Sequence, residues 1–295
     1  MKQHRVAVLG GSGFIGRYVV KRLAERGDVV SVGARHATSA KYLRLKGDVG
    51  QVGLVNLVGI LHEGGGQRFE IAHQIGPARL ARLAREARVE RFIHVSAIGA
   101  EPRSTSLYAR TKAAGEEAVR DAFPTATILR PSVVFGPEDQ FFNRLAQAAM
   151  MSPVMPVIGG GDTRFQPVYV GDVADAVLRC IDDSATAGRI YELGGPRVYS
   201  LRALTELLLD EIRRKRALID LPFGLAAMQA RLMALLPNPP LTPDQVEMLK
   251  SDNIASPGAL GFEALQIAPT AVEAILPTYL DRFRKGGWYA RERVV

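Results

Sequence analysis

A short apolar run, Arg5–Leu9, breaks straight into Gly10-Gly11-Ser12-Gly13-Phe14-Ile15-Gly16, after which apolar residues recur at helical spacing through Ile15, Val19 and Leu23. Few backbones accommodate strand, glycine turn and helix in that order. Glycine at 10 allows a tight turn, at 13 lets a ligand approach the main chain, and at 16 permits close helix–strand packing. The start of the helix adds N–H donors and the positive end of its dipole, so the turn suits a pyrophosphate. A glycine pattern alone also describes an unliganded turn; its setting between strand and helix is what favours the phosphate reading.

The rest of the chain repeats the alternation. Val29–Val32, Val52–Val58, Phe92–Ser96 and Thr127–Leu129 read as strands, and Phe69–Ala87 and Leu107–Ala122 as helices. This order predicts an α/β fold of the Rossmann type, a doubly wound parallel sheet. Beyond Gly136 the rhythm loosens. Val168–Ile181 reads as a short strand turned into a helix capped by Asp172, Ile190–Leu193 as a strand and Leu201–Leu209 as a helix. From Pro222 onward the chain is Pro- and Met-rich and mostly helical. These runs predict a nucleotide-binding domain over residues 1–150, joined by returning elements at 165–195, and a smaller helical subdomain over 196–295. A doubly wound half-sheet needs roughly 20 residues or more for a further strand and helix before Leu54. The stretch from Arg35 to Leu54 is too short for both, so either the element is truncated or residues have been lost.

A NAD-preferring site carries Asp or Glu at the end of its second strand, to accept from the ribose 2′-hydroxyl. Here Val32-Gly33-Ala34-Arg35-His36 holds no acid. Arg35 and Arg17 could instead pair with a 2′-phosphate, which points to NADP(H), or could both be solvated. Ser96, Tyr108 and Lys112 form a third constellation. Tyr and Lys four residues apart share a helix face, and an ammonium beside a phenol favours the phenolate. Tyr108 could then pass a proton to a carbonyl oxygen that Ser96 also bonds, while Lys112 reaches the nicotinamide ribose. The same spacing occurs on helix surfaces by chance. Asn56, Val58 and Gly59 end a strand beside the nucleotide, and Pro131, Ser132 and Val133 end another whose backbone could meet the nicotinamide carboxamide.

The 295 residues, 47% hydrophobic and 23% charged, describe a globular chain. No run reaches the roughly 18–20 apolar residues of a membrane-spanning helix. The first residues resemble neither a signal nor a transit peptide, which predicts a cytosol-like compartment. One cysteine, Cys180, excludes an internal disulfide framework, and scattered His62, His73 and His94 predict packing or surface roles and no metal site. The net charge of +8 suits a nucleotide, an anionic membrane or an acidic protein face. Lys and Arg are dispersed without an aromatic-studded stripe, which argues against nucleic acid. Pro222–Leu236 is apolar almost throughout, and is therefore either buried in the core or docked on something apolar.

Taken together, GGSGFIG, the Ser96/Tyr108/Lys112 set, RPSVVFGP and QPVYVGDVADAV resemble extended and atypical short-chain dehydrogenases/reductases, the NAD-dependent epimerase/dehydratase kind. VNLVGIL, RFIHVSAIGA, YARTKAAGEEAVRDAFP, ILRPSVVFGPEDQFFNR, YELGGP and LPNPPLTPDQVEMLKSDN narrow the likeness. They resemble the nucleotide-binding accessory subunits of respiratory complex I, over nearly the whole chain. The resemblance implies a tightly held NADP(H) contacted by Gly10, Gly11, Ser12, Gly13, Phe14, Ile15, Gly16, Arg17, Arg35, Asn56, Val58, Gly59, Ser96, Tyr108, Lys112, Pro131, Ser132 and Val133. It implies a structural or stabilising role near the quinone-binding region, with no catalysis of its own. The partners would be peripheral-arm and membrane-junction subunits, and the location the cytoplasmic face of a bacterial inner membrane. Alternatives are a free NADPH-dependent reductase or epimerase, as in quinone biosynthesis, and a nucleotide-gated redox sensor.

Overall fold

The computed structural model describes residues 3–33, 51–64, 66–234, 236 and 239–284. Strand β1 (His4–Leu9) runs into helix α1 (Phe14–Glu25), followed by β2 (Val29–Gly33) and β3 (Gln51–Asn56). A wide π-type turn (Glu70–Ile75) continues into α2 (Gly76–Glu86), then β4 (Arg91–Val95), α3 (Leu107–Ala122) and β5 (Thr127–Pro131). The chain next enters β6 (Val134–Phe135), α4 (Phe142–Met151), β7 (Val154–Ile158), β8 (Arg164–Phe165) and β9 (Val168–Tyr169). Helix α5 (Val170–Asp182) and β10 (Ile190–Leu193) follow, then β11 (Tyr199–Ser200), α6 (Leu201–Glu211) and β12 (Ala217–Leu221). Helices α7 (Phe223–Met233), α8 (Pro243–Met248) and α9 (Val272–Leu280) complete the described elements.

Two compact units result. The first comprises residues 1–131, 170–193 and 256–268, and the second 132–169, 194–255 and 269–295. Contacts thus divide the chain at Pro131 and not at 150, because β6 leaves the large sheet and pairs with β9. The first unit is a six-stranded parallel sheet in the order β10-β5-β4-β3-β1-β2. Helices α1 and α5 pack together on one face. On the other, Ala81, Ala84, Phe92, Val119, Phe123 and Ile128 form a core beneath α2 and α3. This is the doubly wound parallel architecture the alternation predicts. The second unit carries two-stranded pairs, β11 with β8 and β12 with β7, around a core of Phe135, Phe142, Leu204, Leu208 and Leu276.

Three local readings change. β3 ends at Asn56, two residues before Val58. α5 begins at Val170, so Asp172 lies in its first turn, as a partner for the dipole and not as a cap. The long helix over Phe69–Ala87 is two pieces: Pro77 at the start of α2 cannot donate a hydrogen bond, and a π-type turn precedes it. That turn packs hard on α3, where a methyl group at Gly115 would overlap the His73 carbonyl. The absence of a side chain at 115 therefore sets how closely the two elements cross. The shortened stretch after Arg35 falls on residues 34–50, outside the described residues.

Gly115→Ala should cost about 1–3 kcal/mol, the usual penalty for overpacking an interior. A lower urea midpoint at unchanged slope would show it; wild-type stability would mean the crossing is not tight.

Candidate functional site

The turn after β1 is closed by its own backbone. Gly10 N donates to Gly33 O at 3.0 Å and Gly13 N to Gly10 O at 2.9 Å. Gly10 has φ +80°, and a methyl there would lie 3.1 Å from the carbonyl of Leu57. At Gly16 a methyl would overlap the Gly10 carbonyl and lie 2.6 Å from Gly11 Cα. Both positions therefore require glycine, one for conformation and one for space. Gly13 is the N-cap residue of α1, which has no side-chain cap and no acid in its first turn. Its N–H groups and dipole are left for an anion, as a phosphate requires. Arg17 is half-buried one residue past Gly16. Arg35 lies outside the described residues.

Past the carboxyl end of β4, Ser106 caps α3 by accepting from Ala109 N at 3.2 Å. The helix then presents Tyr108 and Lys112 one turn apart, both buried. The Tyr108 ring meets Phe69 and His73 edge-on, with centroids 5.9 and 5.2 Å away. Lys112 Nζ sits 5.9 Å from the Tyr108 ring centroid and donates to Val95 O across 3.4 Å, a long bond. Burial lowers the Lys112 pKa to about 8, against the opposing pull of Glu116. Ser96 is 4% exposed, and its hydroxyl has no partner among the described residues. A buried hydroxyl left so costs about 1–3 kcal/mol, which a ligand acceptor would relieve. An uncapped helix start, a free buried hydroxyl and an under-bonded lysine fit a dinucleotide.

Sequence reasoning placed His73 and His94 in packing or surface roles; both are buried hydrogen-bonding groups of this site. His73 Nε2 accepts from Ile60 N at 3.1 Å, and His94 Nδ1 meets Asn56 Nδ2 at 3.0 Å. Asn56 Oδ1 in turn accepts from Val58 N at 3.2 Å. Burial, then the charge of Lys112, pushes each ring pKa down to about 3. Glu116 was missed too. It is 2% exposed and receives Arg130 at 2.7 Å, while Arg130 also reaches Glu192 at 3.3 Å. No local pattern marks these residues, because their partners lie far away in the chain.

Of the strand end at 131–133, Pro131 O accepts from Ile98 N at 2.9 Å. Within the second unit, the Ser132 hydroxyl lies 2.7 Å from Asn253 Oδ1, which also accepts from Val133 N at 2.8 Å. Val133 O accepts from Val168 N at 3.0 Å. These groups, expected at a nicotinamide carboxamide, are thus already engaged by the protein.

Residues 6–194 match the NAD dependent epimerase/dehydratase family. The chain belongs to that family. It is 36% identical over 313 residues to Arabidopsis thaliana NADH dehydrogenase (ubiquinone) 1 alpha subcomplex subunit 9, mitochondrial, covering 95% of this chain and 78% of the relative. The Mus musculus protein of the same name is 33% identical, covering 97% and 82%. The Neurospora crassa NADH-ubiquinone oxidoreductase 40 kDa subunit is 30% identical, covering 97% and 81%. Within the epimerase/dehydratase family the chain is therefore a member of the subunit 9 branch. The comparison with the plant relative is longer than the chain's own 295 residues, so that relative holds residues with no counterpart here. Among solved structures, gox2253 aligns with a TM-score of 0.72 at 20% identity, covering 97% of this chain and 99% of that one. The dTDP-glucose 4,6-dehydratase DesIV of Streptomyces venezuelae, with NAD and TYD bound, aligns at 0.70 and 19%, covering 95% and 96%. Such distant likenesses carry the fold alone. Membership of a family named for NAD supports binding of a nicotinamide nucleotide by this chain.

The two histidines also predict how stability depends on pH. Each is neutral when folded, with a pKa near 3, but takes up a proton on unfolding below its ordinary 6.5. A depressed folded pKa gives stability that is complete above 6.5 and lost as pH falls, at ~1.4 kcal/mol per unit for each ring. Urea titrations at pH 6.5 and 5 should differ by about 3 kcal/mol from both rings together, since the unfolded imidazoles are half protonated at 6.5. His94→Gln should remove about half of that difference, and an unchanged profile would contradict the assignment.

Proposed function

We propose that the chain is an accessory subunit of a proton-pumping NADH:quinone oxidoreductase, holding NADP(H) and stabilising the assembly near its quinone-binding region. The observation that carries this reading is identity of 30–36% along nearly the whole chain with proteins named as subunits of that enzyme. In this reading the nucleotide supplies a bound, redox-capable nicotinamide outside the main electron path. Gly10–Gly16 would cradle its pyrophosphate, Lys112 its nicotinamide ribose and Ser96 its remaining polar edge. The partners are the neighbouring subunits of the peripheral arm and membrane junction, on the cytoplasmic face of a bacterial inner membrane.

Among the described residues no helix is long and apolar enough to cross a membrane. A peripheral attachment is available instead. α7 buries Ala226 and Ala230 against Val246 and its neighbours. Leu225, Met228 and Leu232 on its outer side are 49%, 57% and 66% exposed, and Leu236 just beyond is 53% exposed. That apolar stripe on a chain of net charge +8 suits an anionic lipid surface. Leu232→Glu with Leu236→Glu should leave folding and bound nucleotide intact, since both side chains already face outward. A tagged wild-type chain should co-purify with membrane-bound NADH:quinone oxidoreductase, and the double variant should appear in the soluble fraction. Wild-type protein that never accompanies the complex would sink the reading.

Nucleotide choice rests on the absence of an acid after β2 and on Arg17 and Arg35. Arg35→Asp should weaken NADPH at least tenfold more than NADH in equilibrium titrations, the effect of losing a charge-assisted pair to the 2′-phosphate. Equal weakening of both nucleotides would remove arginine from the selection.

A further inference from the structure

The segment Leu57–Ile60, just past β3, lies within contact distance of both the phosphate turn and Lys112. Leu57 N makes a last rung to Leu9 O at 2.9 Å. The Leu57 carbonyl and Val58 N lie 3.1 and 3.3 Å from where a side chain on Gly10 would begin. Two residues on, a side chain on Gly59 would begin 3.3 Å from Lys112 Nζ and 3.8 Å from His73 Nε2. The segment belongs to no strand or helix, so its position depends on the bonds its N–H groups find.

Those bonds fix the state of both imidazoles. Ile60 N–H can only donate, so His73 Nε2 is unprotonated and His73 Nδ1 carries the hydrogen. Nδ1 then donates to Thr111 Oγ1 at 3.1 Å, and the Thr111 hydroxyl donates to the carbonyl of Leu107 or Tyr108 at 2.9 or 3.0 Å. Every member of that series has one consistent role. Val58 N–H likewise donates to Asn56 Oδ1, which turns the Asn56 NH₂ toward His94 Nδ1 as a donor. His94 therefore decides which way the Asn56 carboxamide faces, and carries its own hydrogen on Nε2, which has no partner among the described residues. Protonating His73 at Nε2, or His94 at Nδ1, would set donor against donor and break the link to the segment. Burial and the Lys112 charge hold both rings neutral.

We propose that His73 and His94 are positioning residues of the nucleotide site: from two separate elements they hold Leu57–Ile60 as a fixed wall between the phosphate turn and Lys112, and so set how long the nucleotide is retained. The inference rests on the reading that a nicotinamide nucleotide occupies this site. His73→Phe keeps a ring of similar size against Phe69 and Tyr108 but removes the acceptor; His94→Leu removes the group that orients Asn56. His73→Gln retains an acceptor.

The full chain, loaded with NADPH, would be diluted and nucleotide release followed by its fluorescence. Amide hydrogen exchange of the nucleotide-free protein would be mapped in parallel. We expect His73→Phe and His94→Leu each to speed release at least tenfold, with faster exchange confined to residues 57–60 and with His73→Gln partly restoring both. Faster exchange at 57–60 with unchanged release would overturn the proposal, as would a general loss of protection, which would make the histidines ordinary core. Wild-type protein that binds no NADPH would overturn the nucleotide reading instead, and the exchange pattern would then decide the histidine wall alone.

Discussion

A lysine only 4% exposed, whose ammonium makes one long hydrogen bond, sets the terms for its surroundings. Removing such a charge from water is expensive, and Lys112 stays in place only because its neighbours are arranged around it. The rings facing it must be neutral, and both histidines are. One turn along α3, Glu116 supplies the opposing charge. A buried carboxylate needs its own partner, which Arg130 provides from β5. Arg130 in turn draws in Glu192 on β10, whose other oxygen accepts from Ser256 N at 2.7 Å. One cation at the head of a helix thus propagates an alternating series of charges across half the sheet.

The strand order explains why this happens where it does. From β1 the chain steps to β2 on one side and then returns to β3 on the other. The carboxyl ends of β1 and β3 consequently open side by side, which in open α/β sheets is where ligands sit. The glycine turn leaves one of those ends and Leu57–Ile60 the other. Gly115, by letting the His73 carbonyl press on α3, brings the π-type turn close enough for its histidine to reach the same spot.

Much of this was readable in the chain. Gly10, Gly16, Tyr108 and Lys112 stand in local motifs, where the residues that must cooperate are a few positions apart. The strands and helices of the first unit follow from apolar periodicity. His73, His94 and Glu116 were not readable, because what gives each its role lies 13 to 38 residues away. The π-type turn escaped for a different reason: it changes hydrogen-bond register while leaving the apolar spacing of Phe69–Ala87 almost intact. In α7, hydropathy could not say which side faced outward. The small residues Ala226 and Ala230 turned out to be the buried ones, and the leucines the exposed ones.

A π-type turn is an α-helix carrying one residue more than its register allows. His73 therefore owes its bearing to a length, and not only to its identity. A chain one residue shorter between Phe69 and Pro77 would relax into plain α-helix and swing a different side chain toward Ile60. Among related sequences, the count of residues in that short interval is consequently as informative as the histidine itself. Where the count drops by one, a histidine at the aligned position would no longer point at the segment beside the phosphate turn.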